Sequence, residues 1–153
     1  MIYVECKRHL TLVKALTNIH RHEIRHAANK GDICNILKRR ADCKALLDED
    51  PQSLQPHYIR EAKEEDDLSE HGIKVLYHKA SNNYLVLLCP TTQEWVLRAA
   101  SEANIDVRKY GLPDNARKLH QEININLDRF ENLLEDLKDS NRLKILKKLL
   151  ERQ

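Results

Sequence analysis

Glycine is scarce in this chain, with three in 153 residues, and aromatic residues make up only 5% of it. So few glycines leave little room for tight turns, and so few rings leave the core to Leu, Ile, Val and Ala. No run approaches the ~20 apolar residues that cross a bilayer, and no signal-peptide pattern opens the chain. The reading is therefore of a cytoplasmic protein without a membrane partner. Cys6, Cys34, Cys43 and Cys89 include no C-x-x-C pair, and each sits in an apolar run, as a small buried hydrophobe does. Reduced thiols are expected.

Charge, in contrast, is plentiful. Asp, Glu, Lys and Arg make up 33% of the residues, while hydrophobic residues reach 41%, enough for one core in a chain of one-domain length. The net charge is only +2 but unevenly spread: residues 1–44 hold ten Lys/Arg against four Asp/Glu, and residues 45–70 hold two against nine. A basic lobe beside an acidic strip is compatible with nucleic acid and does not by itself select it.

Hydrophobic periodicity sets the order of elements. Ile2-Tyr3-Val4-Glu5 is a β-rich run ending in an acid, and Leu12, Val13 and Leu16 follow helical spacing. Residues 23–27 alternate as a short strand does, and Asn29-Lys30-Gly31-Asp32 turns into a helix carrying Ile33, Ile36 and Leu37. Cys43 to Leu47 is a buried β run ending in Asp48-Glu49-Asp50, and Pro51 cannot continue a ladder. Residues 52–70 read as a connection with a short helix from His57, their acidic run 64–67 as a solvated helix face or loop. Two more strands, 73–77 and 84–88, flank the turn signal Ser81-Asn82-Asn83, and a helix spans about 92–103. Beyond Pro113 the pattern is helical. Its stripes (Leu127, Phe130, Leu134, Leu137; then Leu143, Leu146, Leu150) break at Asp139-Ser140-Asn141, a helix-start cluster, so two helices are expected. They cover the sheet, cover each other, or form a homodimer seam. Trp95 and Tyr110 read as core or rim residues rather than base-stacking platforms.

Strand–helix–strand–helix–strand over the first 50 residues implies βαβ crossovers, a parallel sheet and an α/β fold. Sites in such sheets lie outside the carboxyl ends of the strands. Two strands here end in acids, Glu5 on the first and Asp48 with Asp50 on the third. In extended chain, residues two apart share a side, so Asp48 and Asp50 would aim together about 6.5–7 Å apart while Glu49 points away. Three carboxylates around one point repel unless protons or cations neutralise them. All-oxygen ligation suits Mg²⁺ or Mn²⁺, and such a metal can orient and polarise a phosphodiester and acidify water.

Val4-Glu5-Cys6, Asn29-Lys30-Gly31 and Ala45-Leu46-Leu47-Asp48-Glu49-Asp50-Pro51 together resemble the Toprim domain. That family carries a glutamate ending its first strand, D-x-D ending its third, and often a lysine-glycine turn between. The pattern is closest to the overcoming-lysogenization-defect nucleases of phage defence. In those a further glutamate often opens a helix after the later strand, as Leu88-Cys89-Pro90-Thr91-Thr92-Gln93-Glu94-Trp95 does here. The resemblance covers roughly residues 2–90. It implies a Toprim-like α/β domain over 1–112 followed by a helical C-terminal extension over 113–153. It further implies Asp48 and Asp50 as metal ligands, Glu5 as ligand or proton shuttle, Glu94 as a fourth ligand, and Lys30 as a phosphate contact. The glycine that usually follows the first glutamate is Cys6 here, which would crowd a substrate backbone.

The expected activity is Mg²⁺- or Mn²⁺-dependent phosphodiester cleavage in DNA or RNA, that of a metal-dependent hydrolase. Two other readings stand beside it. One is a catalytically silent Toprim-like module that binds a protein or nucleic-acid partner. The other is a zinc peptidase, because His22-Glu23-Ile24-Arg25-His26 matches H-E-x-x-H, whose chemistry needs both histidines on one helical face. Arg21 and Arg25 beside the would-be cation, and the strand expected there, speak against it.

Overall fold

The computed structural model describes residues 1–152. Its strands are β1 (Ile2–Val4), β2 (Ile24–His26), β3 (Lys44–Asp48), β4 (Lys63–Leu68), β5 (Ile73–His78) and β6 (Asn83–Leu88). Its helices are α1 (Lys7–Leu16), α2 (Lys30–Leu37), α3 (His57–Glu61), α4 (Thr92–Glu102), α5 (Ala116–Glu122), α6 (Leu127–Leu137) and α7 (Asn141–Glu151). The strands form one sheet in the order β2-β1-β3-β6-β5-β4. The four strands β2, β1, β3 and β6 run parallel, and β5 and β4 add on antiparallel. The α/β expectation holds. No helix among the described residues is long and apolar enough to cross a membrane.

Period-two alternation sends successive strand residues to opposite faces, and both faces are covered. Ile2, Val4, Leu46, Val86 and Leu88 join one core with Leu12 and Val13 of α1, Trp95 of α4, Phe130 and Leu134 of α6, and Leu146 of α7. Tyr3, Ala45, Leu47, Leu85 and Leu87 join the other with Ile33 and Leu37 of α2 and Tyr58 and Ile59 of α3. The leucine stripes of α6 and α7 are thus buried within the chain, most heavily against α1. Two helices form as the broken periodicity requires. Ser140 stands at the start of α7, although its hydroxyl makes no capping hydrogen bond.

The acidic segment Lys63–Leu68 departs from the reading as helix face or loop: it is the antiparallel edge strand β4, irregular between Glu64 and Asp66. Its own β propensity is poor, and the open edge of β5 overrides it. Charges on an edge strand also discourage another strand from pairing there. All four cysteines are free. Gly72 is the one glycine whose place in the core is forced. Its φ is +65°, and a Cβ there would lie 2.8 Å from the Trp95 ring and 2.5 Å from Arg142.

Asn83, the last residue of that turn signal, is fully buried and joins three elements. Its carbonyl oxygen accepts from the Cys43 amide at 2.9 Å. Its amide donates to the Leu37 carbonyl (3.0 Å), the Arg40 carbonyl (2.9 Å) and the Tyr58 hydroxyl (3.0 Å). Asn83→Ala strands these buried partners, and a loss of about 3 kcal/mol is expected from chemical denaturation. A loss below about 1 kcal/mol would mean that water replaces the side chain.

Candidate metal centre

The chain leaves β1, pairs β2 on one side of it, then crosses to pair β3 on the other. A crevice opens where neighbouring connections depart in opposite directions, here between the carboxyl ends of β1 and β3. The register Val4↔Leu46 brings Glu5, one residue past β1, beside the end of β3 at Asp48. The contact is direct: the Asp48 amide donates to Glu5 Oε1 at 2.9 Å. Cys6, next in sequence, has φ −152° and ψ 166°. That extended backbone suits any residue, so cysteine replaces the expected glycine without strain.

Asp48 is held mainly through one oxygen. Its Oδ1 accepts from the Thr92 amide at 3.0 Å, from the Thr92 hydroxyl, and from His9 Nε2 at 2.9 Å. The Thr92 hydroxyl in turn lies 2.7 Å from His9 Nε2. His9 sits in the first turn of α1 and Thr92 at the start of α4, so two helix starts converge on one carboxylate. Asp48 Oδ2 and Glu5 Oε2 accept no hydrogen bond among the described residues. Both carboxylates are therefore oriented and half-committed.

Ligand atoms of Glu5, His9 and Asp48 all lie within 4.8 Å of one another, the spacing of a metal-ligand set. His9 is completely buried. Burial pushes its imidazole toward neutrality, yet its contacts with Asp48 and Cys6 carry the pKa up to about 10. Its Nε2 is engaged with Asp48 Oδ1, so in this arrangement His9 acts as a donor that positions Asp48. Burial also opposes charge on Asp48, but the His9 contact, the Thr92 hydrogen bond and the Arg8 charge together hold its carboxyl below its ordinary range. His9 Nδ1 is buried with no hydrogen-bond partner. The Cys6 thiol is near enough to couple electrostatically, and its pKa is lowered: His9 and Arg8 outweigh the upward push of burial.

Glu5, Asp48, Asp50, Glu94 and Lys30 all line one cavity of about 590 Å³. The structure thus brings the five candidates of the carboxylate reading to one cavity, though not in every expected pose. Asp50 does not continue β3 in extended form. It has φ +45°, and its amide donates to the Pro90 carbonyl at 2.8 Å. It reaches the rim by a turn and stands outside the close Glu5–His9–Asp48 group. Glu49 points away as expected, to Lys74 at 3.0 Å. Lys30 is less free than a phosphate contact requires, because its ammonium donates to the Glu49 carbonyl (3.1 Å) and to Gln55 (3.3 Å). Glu94 is exposed in the first turn of α4. A cavity of about 730 Å³ lies beside Met1 and Lys44, at the opposite end of these strands.

The H-E-x-x-H segment does not form a helix. His22 lies in a 3₁₀ turn (21–23) and His26 in β2, so the histidines share no helical face and the zinc-peptidase pattern lacks its geometry. His9, Thr92, Arg8, Arg117 and His120 were not singled out by the sequence. Only a histidine four residues after a strand-ending acid, on the first turn of the following helix, hinted at any of them.

Linkage gives the His9–Asp48 pair a pH signature. The folded pKa of His9, about 10, lies above its ordinary 6.5. Its stabilisation is therefore complete below about 6.5 and lost as pH rises through about 10; that of Asp48 is lost only in acid. In EDTA, the stability gap between wild type and His9→Gln should shrink steadily over that alkaline window. A gap independent of pH would show that His9 is neutral in the folded protein.

No protein-family model, curated protein or solved structure matches the chain.

Proposed function

We propose that this protein is a divalent-metal-dependent phosphodiesterase acting on nucleic acid, with the metal held by Glu5 and Asp48 and with Asp50 and Glu94 on the rim. The observation that carries the reading is the half-commitment of the two central carboxylates. Each is fixed through one oxygen, while Glu5 Oε2 and Asp48 Oδ2 keep their lone pairs.

The donor set fits the metal. Carboxylate oxygens with room for water are what Mg²⁺ and Mn²⁺ prefer, and Asp48 is ionised and oriented by His9 and Thr92. When bound, such an ion supplies Lewis-acid polarisation of a phosphodiester and a more acidic water. The rest falls to the chain. His9 and Thr92 hold the Asp48 carboxylate in a single orientation, sparing reorganisation during reaction. Glu5, braced by the Asp48 amide, keeps one oxygen free to hold the ion or take a proton. Arg8 and Arg117 line the same cavity and offset the charge of a polyanion beside four carboxylates. The Toprim resemblance points to the same chemistry.

Incubation of the protein with single- and double-stranded DNA and RNA, with Mg²⁺ or Mn²⁺ and then with EDTA, tests this. Glu5→Gln and Asp48→Asn should each lower the cleavage rate at least ~100-fold while the circular-dichroism spectrum stays that of the folded protein. Full activity in Asp48→Asn would remove the assignment. Tight metal binding with no turnover on any nucleic acid would instead favour a silent binding module.

A further inference from the structure

The cavity beside the carboxylates has a second chemical half. Arg8 follows Cys6 by two residues in the first turn of α1, and only 8% of its surface is exposed. It forms no ion pair among the described residues, and its Nε is buried without a hydrogen-bond partner. Burying a guanidinium without a counter-charge is costly, so proteins seldom leave one unpaired. Asp48 is near enough for its field to be felt, yet it forms no ion pair with Arg8 among the described residues. The Arg8 donors are thus left for something from outside.

Two further nitrogen-bearing side chains, one of them a guanidinium, line the same cavity from α5. Arg117 and His120 are three residues apart, hence on one side of that helix, and both line the space with Arg8. His120 is held in place. Its Nδ1 lies 3.1 Å from the Gln93 amide nitrogen, and Gln93 is itself only 8% exposed. Gln93 Oε1, also buried, has no partner.

We infer that Arg8, Arg117 and His120 form a phosphate-binding subsite beside the metal-holding carboxylates, seating the phosphate group next to the one that is cleaved. A guanidinium offers paired N–H donors that match two oxygens of a phosphate, and a cavity of about 590 Å³ has room for a nucleotide. The subsite rests on the nuclease reading for the identity of its ligand. Its preferred substrates carry a phosphate flanking the scissile bond, so a dinucleoside monophosphate, which lacks one, is a poor substrate.

The test is an amide and arginine-side-chain NMR titration of the full chain with inorganic phosphate, run in EDTA and again in Mg²⁺. Phosphate should shift the Arg8 Nε–Hε signal and the backbone signals of α5 around Arg117 and His120. Arg8→Gln should weaken phosphate binding about tenfold, and Arg117→Gln, at an exposed position that leaves folding intact, severalfold. Lys147→Gln, an equal charge change on an exposed face of α7, should leave affinity unchanged. The proposal is overturned if phosphate binds in neither condition, or if Arg117→Gln binds as wild type does. It is equally overturned if the shifts centre on the separate basic cavity lined by Arg25, His26, Arg39 and Arg40. Phosphate binding here without cleavage of any nucleic acid would keep the subsite and sink the nuclease. Cleavage with unaltered phosphate binding in the variants would do the reverse.

Discussion

The parallel pairing of β1 with β3 is the contact on which the rest of the site depends. Three register pairs, Ile2↔Lys44, Tyr3↔Ala45 and Val4↔Leu46, bring two acids 43 residues apart in sequence within one hydrogen bond of each other. Both strands are buried on both faces, so a slip of one residue would exchange the apolar sets facing the two helical layers. Register is therefore enforced by the cores, and the carboxylates inherit its precision. The contact between Asp48 and the amide of Thr92 extends that precision to α4.

Much of this architecture was legible because apolar spacing reports it directly. Ile2 to Val4, Cys43 to Leu47 and Tyr84 to Leu88 read as strands because both faces of a central sheet must be apolar. The stripes of α6 and α7 read as helices because one side of each is buried. β4 was illegible for the converse reason: Lys-Glu-Glu-Asp-Asp-Leu has no apolar alternation, and its extended state comes from the backbone of β5. Glu5 and Asp48 were found because an acid ending a buried strand stands out. His9 was missed because burial at a helix start leaves no pattern in a single sequence. Asp50 was placed correctly near the site but for the wrong reason, since a left-handed turn carries it there rather than strand geometry. Arg117 and His120 carry no local signal, because their position follows from the packing of α5 against α4.

The electrostatics of the centre show why buried polar groups must be read as networks. A lone buried histidine would be neutral and a lone buried aspartate protonated. Together, with Thr92 supplying two donors, they stay charged as a pair, and the pair hands one oriented carboxylate to the cavity. Removing either partner leaves the other as an uncompensated charge, which is more damaging than the pair's net contribution suggests. Asn83 plays the uncharged counterpart at the opposite end of the strands, where one amide ties α2, β3 and α3 together.

The strand order also lays charge across the sheet in sequence. One margin, at β2 and the end of α2, presents Arg25, His26, Arg39 and Arg40; the other, at β4, presents Glu64, Glu65, Asp66 and Asp67. These margins lie farther apart than the ~10 Å over which 0.1 M salt damps a field, so neither cancels the other. The β1–β3 crevice lies next to the basic margin, one strand away, and three strands from the acidic one. If nucleic acid is the substrate, that asymmetry would bias the side from which it enters the crevice.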